Sequence, residues 1–252
     1  MALRTVEATR YVTPLREGGS LPGLVEASDD GLYVVKFRGA GQGPKALVAE
    51  VVAGELGRAL GLRVPELVLV ELDPGFANAE PDQEIHDLLG RSAGVNLGVD
   101  FLPGALPFNP VAGPPPAPAL AADIVWFDAL VTNVDRTARN VNLLTWHKDL
   151  WLIDHGASLY FHHSPMRTPG DERTPFPLIA EHVLLPFAGS IVDADNRLAP
   201  RVTATLLRRV ADVIPRDWLD DGDVQTYVTY LERRAAEPRA FVEEGERARA
   251  RR

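Results

Sequence analysis

The sequence predicts an α+β fold of two lobes, a small N-terminal β-sheet lobe with one helix and a mainly α-helical C-terminal lobe. Short apolar and β-branched runs fill residues 24–72 around one helical segment, whereas apolar residues at helical spacing dominate after residue 119. Between these regions, seven prolines from Pro103 to Pro118 exclude a long helix or a central strand. We therefore expect residues 1–100 and 101–252 to form the two lobes, joined by this proline-rich linker.

The N-terminal lobe contains a predicted β-hairpin, a helix and one further strand. A Ser-Asp-Asp-Gly turn separates the two hairpin strands, and Gly31 is expected to supply a positive φ there. Pro44 in the first turn and Gly61 after the last turn bound the helix. The predicted elements are strands at 24–27 and 32–37, a helix at 44–60 and a strand at 65–72.

Apolar periodicity and the positions of Pro and Gly give the elements of the remaining chain. Leu120, Ile124 and Phe127 repeat at helical spacing, so the helix that contains them is the most strongly marked element of the second lobe. The predicted elements are a short helix at 81–89, an extended segment at 95–102, a helix at 119–132, strands at 141–146 and 150–153, and helical segments at 176–184, at 199–213 and from 223 onward.

The chain is acidic and contains no cysteine. A formal net charge of -9 excludes the broad basic surface of non-specific nucleic-acid binding, so nucleic acid is not expected unless a partner protein supplies the contact. The lack of cysteine excludes disulfides, thiolate metal sites and thiol nucleophiles. Charged residues interrupt Met1–Arg10, and no apolar run approaches the roughly 18 residues of a membrane span. We expect a cytoplasmic protein with no membrane partner.

A lysine near the end of an apolar strand is the first candidate functional residue. Lys36 follows Leu32–Val35, and the next predicted helix carries Glu50 and Glu55. Phosphoryl transfer from ATP commonly uses a strand lysine to hold the phosphates and a helix glutamate to orient its ammonium group. Glu55 falls within the apolar stripe of the helix and Glu50 on its flank, which leaves the partner open. The alternative for Lys36 is an edge-strand lysine whose ammonium group reaches solvent.

Two acidic motifs follow in the second lobe. Asp135 precedes Asn140 by five residues, between an apolar helix and an apolar strand, which is the form of a kinase catalytic loop. In such a loop the Asp accepts or orients the substrate hydroxyl proton, and the Asn supplies an amide oxygen to magnesium. Asp154 ends the following strand in Asp-His-Gly, similar to a metal-binding Asp-x-Gly turn. An ordinary Asx-type turn is the alternative.

The order of strand Lys, helix Glu, Asp and Asn five apart, and Asp-x-Gly resembles the HipA-like branch of the protein-kinase-like fold. The two acidic motifs are also similar to those of phosphoinositide kinases. This resemblance implies ATP and Mg²⁺ as cofactors and a cleft between the lobes. It further implies that Lys36 and Asp135 are catalytic, that Lys36 pairs with Glu50 in preference to Glu55, and that Asn140 and Asp154 ligate the metal.

The same resemblance implies a short phosphate-covering loop and an adenine hinge. Gly18, Gly19 and Ser20 would form the loop, whose backbone amides can approach phosphate oxygens because glycine has no Cβ. The hinge is expected near residues 99–102. The leading hypothesis is an ATP- and Mg²⁺-dependent phosphotransferase that moves the γ-phosphoryl group to a hydroxyl of a protein or small-molecule substrate. The alternative is a catalytically inactive pseudokinase that acts as a nucleotide-binding or protein-interaction module.

Overall fold

Five strands of the N-terminal region close into a small barrel in the computed structural model, which describes residues 2–15, 21–41, 43–163, 171–219 and 224–251. The strands are β1 (Arg4–Pro14), β2 (Gly23–Ala27), β3 (Leu32–Lys36), β4 (Leu67–Leu72) and β5 (Gly94–Asp100). Their order is β1-β2-β3-β5-β4, and parallel pairing of β4 with β1 closes the barrel. The remaining pairs are antiparallel. The predicted N-terminal β lobe is confirmed.

Alternation along β3 explains both the barrel core and the position of Lys36. Because successive strand side chains point to opposite faces, Tyr33, Val35 and Phe37 are buried inside the barrel. Val34 and Lys36 are half-buried on the other face. The inward residues that complete this core come from the neighbouring strands and include Val6, Val25, Val68, Val70 and Leu72.

The β2–β3 turn differs in detail from the prediction. Asp30, with a φ of 60°, takes the left-handed conformation that was expected of Gly31. Gly31 is required for a different reason, because a Cβ there would lie 2.6 Å from the Tyr33 ring. The Asp29 carboxylate accepts a hydrogen bond of 3.1 Å from the Gly31 amide and so stabilises the turn.

The sequence did not predict β1. Val6 is the one fully buried side chain of this strand, and most of the others are exposed. Its register with β2 also shifts twice, between Ala8 and Arg10 and between Tyr11 and Thr13. A strand that is exposed and irregular carries no apolar alternation, so periodicity gave no signal.

Two helices accompany the barrel, α1 (Gly43–Leu60) and α2 (Gln83–Arg91), close to their predicted bounds. Every residue of α1 from Leu47 to Gly57 is buried, because the helix lies between the barrel and the rest of the chain. Gly61 ends it with a φ of 92°, as the sequence predicted. The Asp82 side chain caps α2 by accepting hydrogen bonds from the amides of Glu84 and Ile85.

The C-terminal part is mainly helical, as predicted, and is built around an apolar helix. Its elements are β6 (Leu106–Pro107), α3 (Pro118–Val131), β7 (Leu143–Trp146), β8 (Asp149–Leu152), α4 (Ile191–Leu198), α5 (Ala204–Ala211), α6 (Gln225–Ala235) and α7 (Ala240–Ala250). Strands β6, β7 and β8 form a three-stranded antiparallel sheet. Short 3-10 turns occur at Phe76–Ala79, Tyr160–His163, Asp171–Arg173, Pro177–Glu181, Leu185–Phe187, Ala199–Arg201 and Arg216–Trp218.

Two helical predictions for this part need correction, and one helix was not predicted. Residues 176–184 contain a 3-10 turn, because Pro177 starts the turn and Pro186 prevents a longer helix. The segment from residue 223 is divided at Pro238 into α6 and α7. Helix α4 was not predicted, although Ser190 caps it by accepting a hydrogen bond of 3.0 Å from the Asp193 amide.

Side-chain hydrogen bonds join the helical part to the barrel side. The guanidinium of Arg201 donates to the carbonyl oxygens of Leu60 and Ala59 at 2.6 and 3.0 Å, which satisfies the C-terminus of α1. Trp218 Nε1 donates to the Val95 carbonyl of β5 at 3.1 Å. These contacts fix α1 and β5 relative to the C-terminal part. Within the described ranges, no helix combines the length and the apolar character needed to cross a membrane.

Candidate active site

Lys36 lies between two carboxylates that come from distant parts of the chain. Its ammonium group contacts Glu50 Oε1 on α1 and lies 2.7 Å from Asp154 Oδ1, just after β8. The Glu50 side chain is 2% exposed, that of Lys36 13% and that of Asp154 47%. The structure therefore joins the strand, helix and Asp-x-Gly residues in one cluster, open to solvent on the Asp154 side.

Glu50, rather than Glu55, is the partner of Lys36. Glu55 is also buried on α1, but its carboxylate lies 3.4 Å from Arg58 Nε, one turn further along the same helix. Since α1 is buried on all sides, the apolar stripe of its sequence did not show which glutamate faces the cleft. The position of α1 against β3 therefore brings Glu50, and not Glu55, into contact with Lys36.

Opposing influences set the ionisation of this cluster. Burial raises the pKa of Glu50 to about 7, although the Lys36 ammonium favours the ionised form. Burial also favours the neutral form of Asp154, but the attraction of Lys36 outweighs it and holds the pKa of Asp154 well below its usual range. Burial lowers the pKa of Lys36, yet its two carboxylates raise it overall. Asp154 therefore remains an anion at neutral pH.

The turn after β8 is held in an unusual backbone conformation. Asp154 has a φ of 55°, which is uncommon for a residue other than glycine. The backbone amide of His155 donates to Glu50, and a Cβ on Gly156 would lie 3.1 Å from Glu50 Oε1. This turn thus packs directly against the glutamate that holds Lys36, and Gly156 permits the close approach.

Asp135 and Asn140 form a second polar group on the loop after α3. Asn140 Nδ2 donates to Asp135 Oδ2 at 2.6 Å, and Asn142 Nδ2 donates to the same oxygen at 3.3 Å. Hydrogen bonds connect this loop to the Asp154 turn, because the Ile153 amide donates to the Asn142 carbonyl at 3.2 Å. The two acidic motifs are therefore adjacent in space, although they lie in different segments of the chain.

A cavity of about 620 Å³ opens beside the lysine cluster. Lys36 and Asp154 lie on its wall, and the segment at 99–102, where the hinge was expected, lines the same cavity. Its apolar walls come from the barrel on one side and from the C-terminal sheet on the other, and include Val34, Val99, Leu102, Leu144 and Ile153. The cavity is of the size that small-molecule and cofactor sites commonly have.

Asn140 and Asp154 are suited to a magnesium ion. The amide nitrogen of Asn140 is occupied by Asp135, which leaves its Oδ1 as an oxygen ligand, and the Asp154 carboxylate is partly exposed. Magnesium prefers oxygen ligands and commonly uses one or two protein groups together with substrate phosphates. In the described ranges, no three His, Cys, Asp or Glu side chains are grouped to hold a metal by themselves. Such an ion would therefore depend on nucleotide oxygens as well.

The predicted phosphate-covering loop of Gly18, Gly19 and Ser20 lies outside the described residues. Sequence reasoning also missed the buried Asp128, whose carboxylate contacts Arg136 and His182 beneath the loop that carries Asp135. The signal was an aspartate inside an otherwise apolar helical run, since a buried carboxylate requires a partner. Burial favours its neutral form, but Arg136 and His182 hold the pKa of Asp128 well below its usual range.

Comparisons with known proteins agree with this architecture. A profile of the family described as HipA-like kinase matches residues 9–238. Among solved structures, the chain is similar to the proinflammatory kinase CtkA of Helicobacter pylori, with 15% identity and a TM-score of 0.58. That alignment covers 98% of this chain and 99% of CtkA.

Two structures of the Golgi casein kinase are also similar. The structure with Mn and ADP bound has 13% identity and a TM-score of 0.51, with 97% of this chain and 73% of that chain covered. The second has 13% identity and a TM-score of 0.53, with coverage of 100% and 73%. At these identities the likeness shows a kinase-like fold. No curated protein sequence matches the chain significantly.

Proposed function

Because the chain belongs to the HipA-like kinase family, we propose that it transfers the γ-phosphoryl group of ATP to a hydroxyl of a protein or small-molecule substrate, with Mg²⁺ as the metal. One observation carries this proposal: Lys36, held by Glu50 and Asp154, lies on the wall of a cavity of about 620 Å³ between the barrel and the C-terminal sheet. A buried, oriented ammonium group beside an open cavity is suited to phosphate oxygens.

The cavity supports nucleotide binding by its shape and chemistry. Apolar side chains such as Val34 and Leu144 would enclose the flat faces of an adenine ring, and residues 99–102 would lie along its edge. Lys36 would then hold the phosphates at the polar end, while Glu50 keeps its ammonium in place. The similar Golgi casein kinase structure with Mn and ADP bound supports the use of a nucleotide and a divalent metal.

Asp154 and Asn140 would hold Mg²⁺ through carboxylate and amide oxygens. When bound, the metal neutralises charge on the phosphate oxygens. The contact of Lys36 with Asp154 Oδ1 then has a further use, because one cation fixes the carboxylate that serves the metal. The strained turn at Asp154 supports this role, since such conformations persist where the surrounding structure enforces them.

Asp135 would act on the substrate hydroxyl. Asn140 and Asn142 both donate to its Oδ2, so its second oxygen, Oδ1, is available to accept the hydroxyl hydrogen. As the hydroxyl oxygen bonds to the γ-phosphorus, the bond from that phosphorus to the oxygen of ADP breaks, and the hydroxyl proton passes to Asp135. Orientation and charge neutralisation by fixed groups provide most of the catalysis in this scheme.

A transfer assay with γ-labelled ATP and Mg²⁺ tests the proposal, with casein, the protein itself and small alcohols as acceptors. We expect ADP formation and labelled acceptor with the wild type, and a loss of at least about 10²-fold with Asp135→Asn. Thermal shift with ATP should be the same for both proteins, because Asp135 does not line the cavity. ATP binding without turnover in any condition would contradict the proposal and support the nucleotide-binding module instead.

A further inference from the structure

We propose that Asp128 is a positioning residue for phosphoryl transfer, because its buried carboxylate holds the Asp135 loop and the Asp154 turn in register through Asn133 and Arg136. The inference rests on the proposed function, but none of these contacts involves the nucleotide. We refer to Asp128, Asn133, Arg136 and His182 as the Asp128 network. All its members are nearly or fully buried beneath the candidate active site.

Asp128 lies in the last turn of α3 and uses both carboxylate oxygens. Its Oδ1 accepts from Asn133 Nδ2 at 3.1 Å, and its Oδ2 accepts from Arg136 Nε at 2.6 Å and from His182 Nε2 at 2.8 Å. The Asp128 side chain is fully buried. Three donors on one buried carboxylate define its orientation closely, so the groups that it holds are fixed as well.

The first branch of the network leads to the proposed catalytic base. Asn133 Nδ2 donates to Asp128 Oδ1, and Asn133 Oδ1 accepts a hydrogen bond of 3.1 Å from the Asp135 backbone amide. One side chain thus connects the end of α3 to the backbone of Asp135. A change in the Asn133 amide would rotate this part of the loop and move the Asp135 carboxylate.

The second branch leads to the proposed metal ligand. Arg136 Nη1 contacts the Asn142 carbonyl and donates to the Ile153 carbonyl at 3.1 Å. Ile153 immediately precedes Asp154, whose φ of 55° depends on how this turn is held. Since Arg136 also follows Asp135 directly in the chain, a single buried guanidinium spans the two acidic motifs.

The third branch joins the network to the segment after residue 171. His182 Nδ1 accepts from the Leu184 amide at 3.0 Å, so its Nε2 carries the hydrogen that is donated to Asp128. The Val183 amide also donates to the Arg136 carbonyl at 3.1 Å. The catalytic loop is therefore held from α3, from the Asp154 turn and from this later segment.

The position of the network argues for more than a contribution to folding. A buried ion pair is a poor source of stability, because removing both charges from water costs about as much as their attraction returns. Asp195 forms a similar pair with Arg239, and its Oδ1 also accepts a hydrogen bond from Trp126 Nε1. None of these hydrogen bonds involves the loop that carries Asp135. The chain thus contains a matched control, in which a buried aspartate binds an arginine away from the site.

The test compares Asn133→Ala, Asp128→Asn and Asp195→Asn with the wild type. Asn133→Ala removes the hydrogen bonds of the Asn133 side chain to Asp128 and to the Asp135 amide, and it keeps the ion pair of Asp128 with Arg136. This variant therefore still tests the inference if Asp128→Asn fails to fold. For each folded variant, kcat, KM for ATP and the thermal midpoint are measured. A crystal structure of Asn133→Ala reports the position of Asp135 independently of activity.

We expect kcat to fall on the order of tenfold in Asn133→Ala and about 10²-fold in Asp128→Asn, because small misplacements of reacting groups have effects of this size. KM for ATP should stay within about twofold, and Asp195→Asn should lower the thermal midpoint without this loss of kcat. A wild-type kcat in Asn133→Ala with Asp135 unmoved, or an equal loss in Asp195→Asn, would overturn the inference. An inactive wild type would instead contradict the proposed function, and the crystal structure would still test the positioning role.

Discussion

Replacement of Glu50 by Gln tests the arrangement around Lys36 most simply. The substitution keeps the size of the side chain and removes its charge, so that the Lys36 ammonium retains Asp154 as its one carboxylate partner. We expect the ammonium to move toward Asp154 and away from the position that serves the phosphates. Phosphoryl transfer should therefore fall, although the cavity itself is unchanged.

The expected size follows from the contact that is lost. A hydrogen bond between charged groups contributes about 1.5–3 kcal/mol, which corresponds to a decrease in kcat/KM of about 10- to 150-fold. Folding should change much less. Burial raises the pKa of Glu50 to about 7, so the cost of burying this carboxylate offsets the attraction of Lys36 near neutral pH.

Glu55→Gln is the matched control, because Glu55 is buried on the same helix but contacts Arg58 instead of Lys36. Steady-state transfer at pH 8, with far-UV circular dichroism to verify folding, should show a decrease for Glu50→Gln and a change within about twofold for Glu55→Gln. Equal losses in both variants, or wild-type kcat/KM in Glu50→Gln, would refute the reasoning.

Three further predictions concern stability and the cavity. Burial lowers the pKa of His155 to about 3, so as the pH falls below about 6.5 the unfolded chain binds a proton at this residue and the folded chain does not. The free energy of unfolding should therefore decrease by about 2 kcal/mol between pH 8 and pH 5 through this residue. Urea unfolding of His155→Phe should lack this part of the pH dependence. Gly98→Ala places a Cβ 2.6 Å from Val70 Cγ2 and should cost about 1–3 kcal/mol, whereas an unchanged thermal midpoint would contradict this packing. Ala105→Trp should fill the cavity and abolish the thermal shift with ATP, and a retained shift would place the nucleotide elsewhere.

The fold was predictable where one face of an element is buried. The apolar and β-branched run at 32–37 identified the strand, and the structure adds that Tyr33, Val35 and Phe37 enter the barrel core while Lys36 lies on the other face. β1 could not be recognised in this way, because its residues are mostly exposed and its register with β2 shifts. Local sequence patterns indicate which face of an element is buried. The position of β1 depends instead on its pairing with β4, some 60 residues away in the chain.

For the candidate site, the sequence predicted which residue types occur and their order along the chain, but not all of the contacts between them. The choice between Glu50 and Glu55 depended on the packing of α1, which is buried all round and so has no distinct polar face. The contact of Asp128 with His182 could not be predicted, since the two residues lie 54 positions apart and no local spacing relates them. Long-range contacts of this kind become visible only when the fold places the elements together.

The most direct measurement is a crystal structure of the protein with a non-hydrolysable ATP analogue and Mg²⁺. The account predicts that the analogue lies in the cavity beside residues 99–102, with the Lys36 ammonium in contact with its phosphates. It also predicts a metal ion about 2.1 Å from carboxylate and amide oxygens of Asp154 and Asn140. A nucleotide bound elsewhere, or a metal that neither residue touches, would contradict the central claim.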